Sequence, residues 1–149
     1  MNTDSILYKM RSRLVDNGII TGNGDFHGDN FPPTEIPSGT QFWIDEKKLD
    51  GHSIKPWTNK RRLMMTCIVE YDLYVPIGTG TLKLAAVADA IESAFDIMDD
   101  TKANVSTDNL TANVYQIVVK SDGYKDDIWR VRPVLVYVRC ASFSPTPES

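Results

Sequence analysis

No stretch of this sequence stays apolar for more than a few residues, far short of the roughly 20 that a helix needs to cross a bilayer. Nor does it open with a basic segment followed by an apolar one. It begins Met1-Asn2-Thr3-Asp4-Ser5, so no secretory signal is expected. Cysteine is scarce: Cys67 and Cys140 are the only two. Each sits in a β-like run, where a buried free thiol is ordinary, and two cysteines make no disulfide framework. A reduced pair in a cytoplasmic setting is the expectation. Histidine is equally scarce, with His27 and His52 standing apart. That leaves no cluster with metal-ligand spacing and no nucleophile triad that can be ordered. An excess of basic charge is missing too: 16 Lys and Arg face 20 Asp and Glu, a net charge of −4. This argues against general binding to nucleic acid or an anionic membrane.

What is present is an ordinary globular composition, 42% hydrophobic and 24% charged over 149 residues. That length suits one domain with its own core. A single domain over residues 1–143 is expected, followed by a disordered tail, Ser144-Pro145-Thr146-Pro147-Glu148-Ser149.

Hydrophobic spacing predicts two helices. In the first, over 3–17, Ile6, Leu7, Met10 and Leu14 share one stripe, with Thr3 as N-cap and Gly18 as stop. The second, over 81–95, lines up Leu84, Val87, Ala88, Ile91 and Phe95, with alanines keeping it slim. Four strands are expected at 40–45, 63–75, 112–120 and 128–140. In the long second one Met65, Cys67, Val69, Tyr71, Leu73 and Val75 alternate with Met64, Thr66, Ile68, Glu70, Asp72 and Tyr74. In the third, Val114, Gln116 and Val118 oppose Tyr115, Ile117 and Val119; in the fourth, Trp129, Val131, Leu135 and Tyr137 face one side. Pro133 interrupts the fourth and predicts an edge or a bulge there. Residues 19–39, rich in Gly and Pro, and residues 47–62 read as extended loops. The fold class implied is α+β: a mostly antiparallel four-stranded sheet with two helices packed on one face.

Three features invite chemistry. Gly78-Thr79-Gly80-Thr81 links a strand to a helix, the context of a phosphate loop. The spacing of a phosphate loop or of a dinucleotide fingerprint is absent, and a tight structural turn explains the glycines. Asp96, Asp99 and Asp100, like Asp126 and Asp127, lack the alternating donors of a calcium loop and read as solvated turns. The segment 47–62 is the local exception in an acidic chain. It carries Lys47, Lys48, Lys55, Lys60, Arg61 and Arg62, with Trp57 among them and Asp50 the only acid. It could grip nucleic acid through phosphate contacts and stacking, dock an acidic protein rim, or remain a solvated loop. No cofactor, metal or catalytic residue is assigned.

The run Tyr71-Asp72-Leu73-Tyr74-Val75-Pro76-Ile77-Gly78-Thr79-Gly80-Thr81, followed by Ala88-Asp89-Ala90-Ile91-Glu92-Ser93-Ala94-Phe95, resembles the tail terminator (tail completion) proteins of tailed bacteriophages and their tail-terminator-like relatives. Asn30-Phe31-Pro32-Pro33 and Trp129-Arg130-Val131-Arg132-Pro133-Val134 fit the same pattern. Segment 47–62 matches nothing in it. The resemblance implies a non-enzymatic virion protein at the junction of tail and neck, assembled in the host cytoplasm. It implies a homo-oligomeric ring, hexameric in the family, that caps the tail tube, ends its polymerisation and meets the neck or head-completion proteins. DNA then passes through the lumen without specific binding, and no membrane is involved. Pro76, Gly78 and Gly80 become a structural turn. Lys47, Lys48, Lys55, Trp57, Lys60, Arg61 and Arg62 become candidates for docking tube or neck. Exposed aromatics such as Trp43, Trp57 and Tyr74 become interface anchors. A ring of acidic chains would disfavour sticking as the genome slides past. A neighbouring neck or head–tail adaptor is the nearest alternative, and a small phage nucleotide-binding enzyme is the alternative of another class.

Overall fold

The computed structural model describes residues 4–21, 26–28, 42–54, 62–78, 81–108, 110–120, 124–126 and 128–143. The chain forms α1 (Asp4–Asp16), β1 (Phe26–His27), β2 (Trp43–Ile54), β3 (Arg62–Pro76), α2 (Leu82–Ala94), α3 (Asp100–Ala103), β4 (Thr111–Val119), β5 (Tyr124–Asp126) and β6 (Trp129–Phe143). The long strands lie in the order β2-β3-β6-β4 and every neighbour is antiparallel. Short β1 adds a parallel edge beside β2, and β5 pairs with the start of β6. This is the α+β fold expected, four long antiparallel strands with helices packed against them, which β1 and β5 extend to a six-stranded sheet.

Both long helices cover the same sheet face. Ile6, Leu7, Met10 and Leu14 of α1 and Leu84, Val87, Ala88, Ile91 and Ala94 of α2 are buried in one core. They meet Cys67, Val69, Tyr71, Leu73 and Val75 of β3 and Val134, Val136, Val138 and Cys140 of β6. Each fully buried aliphatic side chain of this kind contributes about 1.5–3 kcal/mol. Cys67 and Cys140 are free and buried.

The end of α1 explains itself from sequence. Gly18 takes φ +72°, its N–H donates to the Val15 carbonyl, and the Ile19 N–H donates to the Leu14 carbonyl at 2.9 Å. These two bonds satisfy carbonyls that the last turn leaves open, and glycine takes that φ at least cost. Arg13 then fastens α1 to the other helices. Its guanidinium donates to the carbonyls of Ala94, Lys102 and Asn104, a cation placed where helix C-termini are negative. Asp99 caps α3, its carboxylate accepting the Thr101 and Lys102 N–H groups. In this part the acidic turn after α2 is a capping device.

Several expectations need correction. Residues 47–54 are not loop: β2 continues through them to Ile54, with a register shift between Asp50 and Ser53. β4 shifts register between Val114 and Gln116. The extra residue, Tyr115, throws Ile117 and Val119 onto the core face with Val114, so the simple alternation read from sequence fails there. Pro133 lies in an interior strand. The Lys120 N–H donates to its carbonyl at 3.0 Å, so its nitrogen also points toward the β4 side, since both groups of a strand residue face the same neighbour. β5 pairs with β6 only up to Val131, and β4 begins its pairing at Val134. The missing donor falls in the gap between those two partners, which is how a proline fits there. Thr3, most of the Gly/Pro segment 19–39 and the tail 144–149 lie outside the described residues.

Two substitutions test this packing by thermal unfolding. Ile91→Ala, on the buried stripe of α2, should cost about 2–5 kcal/mol. Gly78 has φ +97° and open space where a Cβ would sit, so Gly78→Ala should cost about 1 kcal/mol or more through backbone strain alone.

Candidate functional site

With the helices on one face, the alternation of β2 and β3 directs a second set of residues to the other. On this outer face Trp43 pairs with Tyr74, Asp45 with Asp72, Lys47 with Glu70, and Leu49 with Ile68. β6 adds Val131, Pro133, Leu135 and Tyr137 opposite Tyr74, Asp72, Glu70 and Ile68. One end of this face is aromatic. Trp43 stacks on Tyr74 with ring centroids 3.8 Å apart, and Trp129 meets both rings edge-on. Together with Val131 they form a small second core. Trp43 and Tyr74 are only 6% and 7% exposed. Their expected role as exposed anchors is therefore corrected: they spend their apolar surface on each other and on Trp129.

Beyond the aromatics the outer face turns charged. Asp72 is fully buried, and Lys47 Nζ donates to its Oδ2 at 2.9 Å. That hydrogen bond holds the Lys47 ammonium above its ordinary range, against the opposing effect of burial. The other oxygen, Asp72 Oδ1, is buried with no hydrogen-bond donor. Glu70, two residues away and on the same face, is half-buried. Its carboxyl is pushed up to about 7, first by burial and then by the adjacent Asp72 carboxylate, which favours a proton on Glu70.

The inner face carries a second polar feature, which sequence reasoning missed. Glu46 is 1% exposed beneath α1, and Arg11 grips it through Nε at 3.0 Å and Nη2 at 2.5 Å. Burial works against the Arg11 charge, but the bonds and charge of Glu46 outweigh it and raise the guanidinium above its ordinary range. Tyr71 lies alongside, fully buried, its hydroxyl held well above the phenol range by burial and by the negative Glu46. Lys48 pairs with Asp4 in the first turn of α1 at 2.5 Å. The available signal was alternation: Glu46 and Lys48 share a strand parity with Ile44, which is a core position.

The docking residues expected from sequence thus separate. Lys47 and Lys48 lie on opposite faces of β2, and each is tied to an acid of this same chain. They are elements of the fold, not a free basic loop. Arg62 opens β3. Its side chain, with Lys55, Trp57, Lys60 and Arg61, lies outside the described residues. Pro76 ends β3 and Gly78 makes the left-handed turn after it, with the Ile77 N–H donating to the Ile128 carbonyl at 2.8 Å. Gly80 lies outside the described residues. α2 starts at Leu82 with no side-chain cap from Thr81. Ile77, Leu82 and Ile128 are exposed large hydrophobics, of which Ile77 and Ile128 are hydrogen-bonded neighbours beside this turn. Among the described residues no group of three or more His, Cys, Asp or Glu could hold a metal ion. No helix among them is long and apolar enough to cross a membrane. An open hollow of about 570 Å³ lies where Lys9 and Arg13 of α1 meet Asp100, Asn104 and Ser106.

No family model matches the chain, and no curated protein matches it. The chain is similar to a solved structure, of a protein whose name describes no activity, with 18% identity and a TM-score of 0.61. The match covers 99% of this chain and 99% of that one. At this identity the likeness concerns the fold alone.

The inner ion pair yields a signed prediction. Arg11→Met removes the guanidinium that neutralises the buried Glu46 carboxylate and should cost about 3–5 kcal/mol. Adding Glu46→Leu removes the stranded charge and should recover most of that loss, a difference read from urea unfolding midpoints.

Proposed function

We propose that this chain is a structural subunit of the phage tail terminator kind: a non-enzymatic virion protein that assembles as a ring, caps the tail tube and meets the neck. The observation that carries the reading is the Val75–Phe95 signature. Its described residues form the end of β3, a left-handed turn at Gly78 and helix α2. Seven of its apolar residues, Val75, Leu84, Val87, Ala88, Ile91, Ala94 and Phe95, are buried while Ile77 and Leu82 are exposed, so much of the resemblance falls on residues that define the fold. An outer sheet face that α1 and α2 leave uncovered, and exposed Ile77, Leu82 and Ile128 beside the signature turn, suit a protein that works by contact with copies and neighbours. In this reading the partners are further copies of the chain, the tail tube protein and a neck or head-completion protein. DNA passes through the ring without specific binding, and the chain resides in the virion.

The same unit also fits a neck adaptor. Virions lacking the protein separate the two: over-long tails support a terminator, and normal tails without heads support an adaptor.

Purified protein should form a ring by native mass spectrometry and bind the ends of tail tubes in negative-stain images. A strictly monomeric protein that never binds tube ends would overturn the reading. Charge reversal at Lys55, Lys60 and Arg61 should weaken end-binding and leave thermal stability unchanged. Lys47 and Lys48 are unsuitable for that test, because reversing either one breaks an intramolecular ion pair.

A further inference from the structure

The outer face contains a buried acceptor with no donor and a carboxyl group beside it that can supply one. Asp72 Oδ2 is satisfied by Lys47, while Asp72 Oδ1 has no donor despite complete burial. A buried acceptor left without a hydrogen bond is costly. Glu70 stands two residues along the same strand and on the same face, so its longer side chain can lean along the strand toward Asp72. Two carboxylates at such a distance repel when both are ionised, and a proton between them turns repulsion into a strong charge-assisted bond.

We propose that Glu70 is held as a carboxylic acid that donates its proton in a hydrogen bond to the buried Asp72 Oδ1, and that this contact is a pH-sensitive element of the outer sheet face. The groups around it are few. From β2, Lys47 lies opposite Glu70 and Asp45 opposite Asp72. From β6, Leu135 and Pro133 lie opposite the two acids, with Tyr137 one pair further on. Lys47 alone favours the ionised form, whereas Asp45 and Asp72 oppose it.

The sign follows. In the unfolded chain Glu70 ionises in the ordinary carboxylate range, near 4.5, and in the folded protein near 7. Between those values the folded state holds a proton that the unfolded state has lost. The stabilisation is complete below the lower value and is lost as pH rises through the upper one. Above that point the centre of the outer face carries one more negative charge. Any surface covering it then meets that charge beside Leu135 and Ile68.

A carboxyl-detected NMR titration of ¹³C-labelled protein tests this directly. The Glu70 carboxyl should titrate near pH 7. Asp72→Asn should lower its midpoint by about one unit and Lys47→Met should raise it. Glu70→Gln keeps an N–H donor for Asp72 Oδ1 but cannot titrate, so it should flatten the fall in melting temperature between pH 5 and 8. A wild-type Glu70 midpoint between 4 and 5 would overturn the proposal, even if Asp72→Asn failed to fold. So would a midpoint that neither variant moves.

Discussion

β3 pairs along its whole length with β6 and, on its other side, with β2, so its register governs where nearly every other residue goes. Residues of one parity, from Cys67 to Val75, enter the core, and helices α1 and α2 close over them. Residues of the other parity, from Thr66 to Tyr74, stand on the face the helices leave alone. A slip of one position would send Glu70 and Asp72 into the core and Tyr71 and Leu73 out of it. The cost of burying two carboxylates among aliphatic side chains makes this register the stable one.

Polar residues within this frame serve as fasteners. The pairs Arg11–Glu46 and Lys48–Asp4 attach α1 to β2. Arg13 attaches α1 to the carbonyl ends of α2 and α3. These bonds are directional, so they specify how α1 sits over the sheet where apolar contacts alone would permit sliding. A buried pair of this sort adds little net energy over a well-packed apolar alternative, and its worth lies in that orientation.

Much of the fold was legible because periodicity is a local property. The two long helices, the faces of β3, the Gly18 stop and the buried thiols all follow from spacing within a dozen residues. The misread parts depend on neighbours distant in sequence. Lys47 and Lys48 look like a basic cluster in a linear chain. Consecutive strand residues face opposite ways, and their acids, Asp72 and Asp4, lie far off in sequence. Trp43 and Tyr74 look like isolated aromatics until the β2–β3 register stacks them. The bulge at Tyr115 has no glycine to announce it. Pro133 looked like an edge or bulge position because sequence does not reveal that β6 changes partner at that point.

The two long helices, the cores of the four main strands, the one-sided packing of the helices and the signature turn at Pro76 and Gly78 could be read from sequence, whereas the extension of β2 to Ile54 and the short β1, α3 and β5 could not. Hydrophobic period and backbone preference are written into adjacent residues. Which charges pair, and that the outer face holds an aromatic cluster beside a buried carboxylate, emerge only in the folded chain. Desolvation and pairing arise from residues brought together across strands, and no window along the chain contains them.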